Sequence, residues 1–202
     1  MSTAAAAGQA TNVLLAGVGG QGVLMASEAL ALAAMEAGFE VKQSEVHGVA
    51  QRGGSVVSHV RFGAAVRSPL IRCGDGDVLY AAERLEALRY AHYLKAGRSI
   101  VMDDRAIQPI RMPDEPEQPY PEDAAGFLRD HGFRVLLVRA LDTAVSLGEQ
   151  RCANVVLLGA VSTLLPLSEE TWDRALRRRL PGKVLDVNLR AFAAGREMAV
   201  PA

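Results

Sequence analysis

Cysteine is nearly absent from this chain. Its 202 residues include only Cys73 and Cys152, far apart and with no C-x-x-C pair. An iron–sulfur cluster or a structural zinc needs several thiolates at short spacing, so this chain by itself supplies neither. The histidines, His47, His59, His92 and His131, form no H-x-x-x-H or H-E-x-x-H pattern, and no metal site is expected. An excess of one charge is lacking as well. Lys and Arg number 22 against 23 Asp and Glu, a formal net charge of -1. Nucleic acid and anionic membranes therefore have no electrostatic footing here. No apolar run is long enough to span a bilayer. The opening "MSTAAAAGQA" has no basic segment and no long apolar stretch. It reads as a flexible tail over residues 1–11 rather than a signal peptide, and a cytoplasmic location is expected.

Half of the residues are hydrophobic, enough for a substantial core, and the length suits a single domain over residues 12–202. "NVLLA" is a short apolar run ending at glycine, the pattern of a buried strand. "VLMASEALALAAMEAG" follows as a helix closed by Gly38. Further strands are expected in "FEVKQSEV", "SVVSHVRF" (55–62), "DVLYAA" (77–82), "SIVMDD" (99–104) and "FRVLLVRA". In 55–62, Val56, Ser58, Val60 and Phe62 share one face, and the other, with Val57, His59 and Arg61, reads as polar. Helices are expected over 83–97, in "EDAAGFLRDHG", and through most of the chain beyond residue 142, with Ser168 as an N-cap. "PIRMPDEPEQPYP" (109–121) carries five prolines and reads as a surface excursion. Alternating strands and helices predict an α/β, Rossmann-like three-layer sandwich. Its sheet is mostly parallel, with an antiparallel element at 55–62 and a helical C-terminal part.

The segment "GVGGQG" (17–22) matches G-x-G-x-x-G between a strand and a helix. Three readings stay open for it: a dinucleotide site, a binding or interface loop, and a plain tight turn. The dinucleotide reading wants an acid at the end of the second strand, about 20 residues on. Glu40 has roughly that spacing but opens the strand, and Glu45 closes it but comes late. "GDGD" (74–77) suggests a thiamine diphosphate site. The paired asparagines of such a site are missing, because no asparagine lies between Asn12 and Asn154. It reads as a turn.

Two segments together, "GVGGQGVL" (17–24) and "EVHGVAQRGGSVVSHVRFG" (45–63), resemble the gamma-type domain of the 2-oxoacid:ferredoxin oxidoreductases. Their form is most similar to the small (beta) subunit of indolepyruvate ferredoxin oxidoreductase. The likeness runs on through "DVLYAAERLEALRYAHYLKAGRSIVMDD", "NVVLLGA" and "VNLRAFAAG". It implies a reaction in which a 2-oxo acid, here an aryl pyruvate, is decarboxylated on thiamine diphosphate and Mg2+. Electrons leave through 4Fe-4S clusters to ferredoxin, and coenzyme A takes the acyl group. It also implies that those cofactors sit on a large partner subunit, with no catalytic residue and no cofactor held by this chain alone. A contact to coenzyme A is a further expectation. The site residues the resemblance marks are Gly17, Gly19, Gly20, Gln21 and Gly22 in the first segment. In the second they are His47, Gln51, Arg52, Gly53, Gly54 and Ser55. Gln21 would offer an amide to a ligand or partner, and Arg52 a planar fork for phosphate or carboxylate. A nicotinamide-dependent oxidoreductase and a pure scaffold are the alternatives.

Overall fold

A computed structural model describes residues 10–47, 53–109 and 119–199. A six-stranded sheet, in the order β2-β3-β1-β4-β5-β6, divides the described residues into two layers of helices. The strands are β1 (Thr11–Val18), β2 (Glu40–His47), β3 (Ser55–Gly63), β4 (Gly76–Ala81), β5 (Leu94–Asp103) and β6 (Arg134–Val138). β1, β4, β5 and β6 run parallel. β3 is antiparallel to both β1 and β2, and it lies between them.

Alternation along the strands builds the two cores. Val13 and Leu15 of β1 point to one face, with Val60, Phe62, Val78, Tyr80 and Val101. That face carries α1 (Val23–Glu36), α5 (Ala153–Ser162), α6 (Glu169–Arg179) and α7 (Gly182–Met198). Leu14 and Ala16 point to the other face, with Leu79, Ala81, Ile100 and Met102. It is covered by α2 (Arg84–Tyr90) and α3 (Ala124–Asp130). The short α4 (Ala140–Ser146) follows β6. Among the described residues, no helix is long and apolar enough to cross a membrane.

The capping signals of the sequence hold. Gly38 takes φ 85° and donates its N–H to the Met35 carbonyl at 2.9 Å, closing α1. Ser168 accepts the Thr171 N–H at the start of α6. Two expectations differ. The helix expected to run to residue 97 ends at Tyr90, passes through a short 3-10 turn, and gives way to β5 at Leu94. Residues 94–97 have fair helix propensity, but pairing of Leu94 with Gly76 extends the sheet, and tertiary pairing overrides local preference. The side of β3 read as polar is covered. His59 is buried, its Nδ1 accepts the Ile71 N–H at 3.2 Å, and burial pushes its pKa down.

α5 and α7 pack backbone to backbone. A Cβ on Gly195 would lie 1.8 Å from the Val156 carbonyl oxygen, and one on Gly159 2.1 Å from that of Phe192. Gly195→Ala and Gly159→Ala are each expected to cost about 1–3 kcal/mol by overpacking, a fall in Tm of roughly 2–12 °C. Thermal denaturation followed by circular dichroism checks this; an unchanged Tm would show that the helices can part without cost.

Candidate functional site

The end of β1 has to turn into α1 inside a crowded layer. A Cβ on Gly17 would lie 2.7 Å from Val23 Cγ2. Gly22 has φ 76°, and a Cβ there would lie 2.3 Å from Asn154 Nδ2. Gly20, at φ 102°, faces open space. Backbone strain therefore requires glycine at 20 and 22, and lack of room requires it at 17 and 22. Gln21 holds the turn closed. Its Oε1 accepts the Val18 N–H at 2.7 Å, and its Nε2 donates to the Ala82 carbonyl at 2.7 Å. The amide that the sequence offered to a ligand is thus used on the backbone at the ends of β1 and β4.

The two glycine segments meet. The Gly19 N–H donates to the Gly54 carbonyl at 2.8 Å, and Val18 pairs with Ser55 across the ladder. Gly53 has φ 77°. His47 ends β2, with its Cα opposite Val56. Gln51 and Arg52 lie outside the described residues. Ser55 Oγ donates to the Glu86 carboxylate and lies 3.0 Å from the Tyr90 hydroxyl. The meeting point is at the C-terminal ends of β1, β4, β5 and β6, where open α/β sheets place their sites.

A cleft of about 410 Å³ opens beside the first turn, lined by Gly20–Gly22, Arg105, Arg151 and Asn154 among others. Asn154 is 7% exposed, its Nδ2 donates to the Gly22 carbonyl at 3.1 Å, and its Oδ1 has no partner. Arg105 Nε is likewise buried and unpartnered, 3.9 Å from Asp103 Oδ2. The first bond inside α1 runs from the Ala26 N–H to the Gly22 carbonyl, so the amides of residues 23–25 have no intrahelical acceptor. Positive helix end and guanidinium together suit an anion. Behind Arg105, Asp103 is 4% exposed and accepts the Ala140 N–H at 3.0 Å. Burial pushes its carboxyl up to about 6, against the Ala140 N–H and the Arg105 charge.

Neither Arg105, Asn154 nor Asp103 stood out in the sequence. "DD" closing "SIVMDD" was visible as a strand end, but nothing local shows that its carboxylate is buried. The dinucleotide arrangement is not built. The strand beside β1 is β3, so Glu45, on β2, lies two strands away, roughly 10 Å in the sheet. Trp172 is fully buried against Phe192, and the basic run 177–179 is paired with Asp173, Glu36 and Glu28. Packing and a solvated face account for both.

Comparison with known proteins adds to this geometry. The profile of the pyruvate ferredoxin/flavodoxin oxidoreductase family matches residues 12–198. The chain is 38% identical over 195 residues to indolepyruvate oxidoreductase subunit IorB of Thermococcus kodakarensis, covering 91% of this chain and 93% of that one. It is 40% identical to the Archaeoglobus fulgidus protein of the same name, covering 94% and 95%. The gamma subunit of a keto/oxoacid ferredoxin oxidoreductase from Geobacter sulfurreducens superposes with a TM-score of 0.72 at 25% identity, covering 95% of this chain and 99% of that one. A 2-oxoglutarate:ferredoxin oxidoreductase from Magnetococcus marinus, solved with 2-oxoglutarate, coenzyme A and succinyl-CoA, superposes with a TM-score of 0.72 at 26% identity. This chain, 95% covered, spans 31% of it.

Asp103 gives a pH signature. Its folded value of about 6 lies above its ordinary 3.8, so the folded state holds the proton more tightly. Its contribution to stability is present in full below pH 4 and is lost as the pH rises through 6. Between pH 4 and pH 7 the stability of Asp103→Asn relative to the parent is expected to rise by on the order of 2 kcal/mol. Urea denaturation of both proteins at the two pH values checks this, and a pH-independent difference would refute it.

Proposed function

With its family profile matched over residues 12–198, the chain belongs to the pyruvate ferredoxin/flavodoxin oxidoreductase family, and we propose that it is the accessory subunit of an aryl pyruvate:ferredoxin oxidoreductase. It is a small subunit of the 2-oxoacid:ferredoxin oxidoreductase complexes. The choice of indolepyruvate or a similar aryl pyruvate rests on the names of its curated relatives.

The residues do not fit the redox cofactors. Two cysteines cannot supply the four thiolates of a 4Fe-4S cluster, and Cys152 is buried with its thiol donated to the Glu149 carbonyl. We assign thiamine diphosphate, Mg2+ and the clusters to the large partner subunit, which passes electrons to ferredoxin, and expect the isolated chain to be inactive. Thiamine diphosphate, when bound there, supplies the electron sink for decarboxylation.

Coenzyme A does fit. The single observation that carries this is the cleft lined by Gly20–Gly22, Arg105, Arg151 and Asn154 beside the start of α1. A phosphate answers the Arg105 guanidinium and the positive end of α1. In this reading the chain is one domain over 12–202. Its glycine turns bring the backbone close to the coenzyme, and Gly17, Gly19, Gly20 and Gly22 shape the wall. His47, Gln51, Arg52, Gly53, Gly54 and Ser55 form the neighbouring segment, with Arg52 as a second guanidinium. The exposed Leu24 and Val46 lie on α1 and β2 beside these turns and suit contact with the large subunit.

Reconstitution with the large subunit tests the proposal. Arg105→Ala and Arg52→Ala are each expected to raise the KM for coenzyme A by roughly 10- to 100-fold, the loss of a charge-assisted contact. Decarboxylation of the oxo acid should stay near the parent rate. Lysine should rescue Arg52 only in part, because it lacks the fork. An unchanged KM in both alanine variants would leave the chain as a scaffold.

A further inference from the structure

We propose that Glu86 is a positioning residue that sets the register between the two glycine turns, acting through Ser55. Glu86 lies in the first turn of α2 and is 2% exposed. A buried carboxylate is costly unless its oxygens are answered. One oxygen takes the Ser55 hydroxyl and the other the Arg89 guanidinium. Burial pushes its carboxyl up, and the Ser55 hydroxyl and the Arg89 charge pull it down.

The helix itself does not need this group. Glu83 already caps α2, accepting the Glu86 N–H at 3.0 Å, so Glu86 has no capping duty. What it joins is α2 and the first residue of β3. Ser55 stands opposite Val18, the last residue of β1, and directly follows Gly54, whose carbonyl receives the Gly19 N–H. The chain at this junction is glycine on both sides, Gly19–Gly20 against Gly53–Gly54, with no side chains to interlock. The ladder of β1 and β3 fixes the register as far as Val18 and Ser55, and beyond that pair the glycines are joined by the Gly19–Gly54 bond. A directional, charge-assisted bond on the first strand residue supplies what the glycines cannot. The Tyr90 hydroxyl, 3.0 Å from the same Ser55 oxygen, closes the cluster from the far end of α2.

Amide exchange in the full chain, followed by NMR, tests this. Removing the bond in Glu86→Ala or Ser55→Ala is expected to speed exchange at Gly19 by about 10-fold, the worth of one hydrogen bond. The Ala26 amide, which bonds to Gly22 in α1, and the amides of α5 should keep their rates. Ser55→Thr, which retains the hydroxyl, should restore Gly19. An unchanged Gly19 rate overturns the proposal, and so does a uniform acceleration of all amides, which would mean general destabilisation. Should Glu86→Ala fail to fold, Ser55→Ala carries the same test. A second readout rests on the coenzyme A reading: in the reconstituted complex, Ser55→Ala should raise the KM for coenzyme A, and Ser55→Thr should restore it. Faster exchange at Gly19 with an unchanged KM would defeat that reading and leave the register role standing.

Discussion

The junction of β1, α1 and α5 leaves no volume for side chains, and the site follows from that constraint. Where the strand ends, Val23 stands over Gly17 and Asn154 over Gly22. Only a bare backbone can pass, and a bare backbone in a tight turn strands its own polar groups. Gln21 answers two of them, the Val18 N–H and the Ala82 carbonyl, and so ties the ends of two neighbouring strands together. The groups left over are the amides that begin α1, and the cleft opens beside the same turn, along Gly20–Gly22. Crowding on one side of the turn thus creates polarity on the other.

One reversed strand decides how this turn is used. β3 enters the sheet between β2 and β1 and runs against both, so its N-terminal residues arrive at the C-terminal end of β1. That brings Gly53, Gly54 and Ser55 to the first glycine turn although some 30 residues separate them in sequence. The same insertion moves the acidic end of β2 one strand outward. A fingerprint that in a fully parallel sheet would hold a dinucleotide is here placed against a second glycine segment.

The strands and most helices were legible because their signals are local: buried apolar runs, capping residues, and glycine at the ends of helices. The meeting of the two glycine segments follows from the pairing of β1 with β3, and nothing local relates residue 19 to residue 54. The end of α2 was misplaced because "YLKAG" carries fair helix propensity while the pairing that claims Leu94 for β5 comes from Gly76. Glu86, Asp103, Arg105 and Asn154 went unnoticed for a related reason. Their importance lies in which groups the assembled layers bury and bring together, a property no local stretch of sequence shows. The bonds of the Gln21 amide to Val18 and Ala82 were not legible either, because a sequence does not show which backbone groups an amide will reach.

Asn154 links the stability of the molecule to the shape of its cleft. It stands at the start of α5, whose Tyr80-facing carbonyl and Gly22-facing amide fix the helix against β4 and the turn. α5 in turn is held by α7 through the close approach at Gly159 and Gly195. A helix pressed backbone to backbone on its neighbour cannot slide without losing that fit, because packed interiors rearrange in discrete steps rather than yield gradually. The Asn154 side chain, bonded to the Gly22 carbonyl, is therefore held in place by a packing contact on the far side of α5. In the coenzyme A reading proposed above, a chain without cluster cysteines would contribute polar groups held in fixed positions before the ligand arrives, so that little ordering would remain to be done on binding.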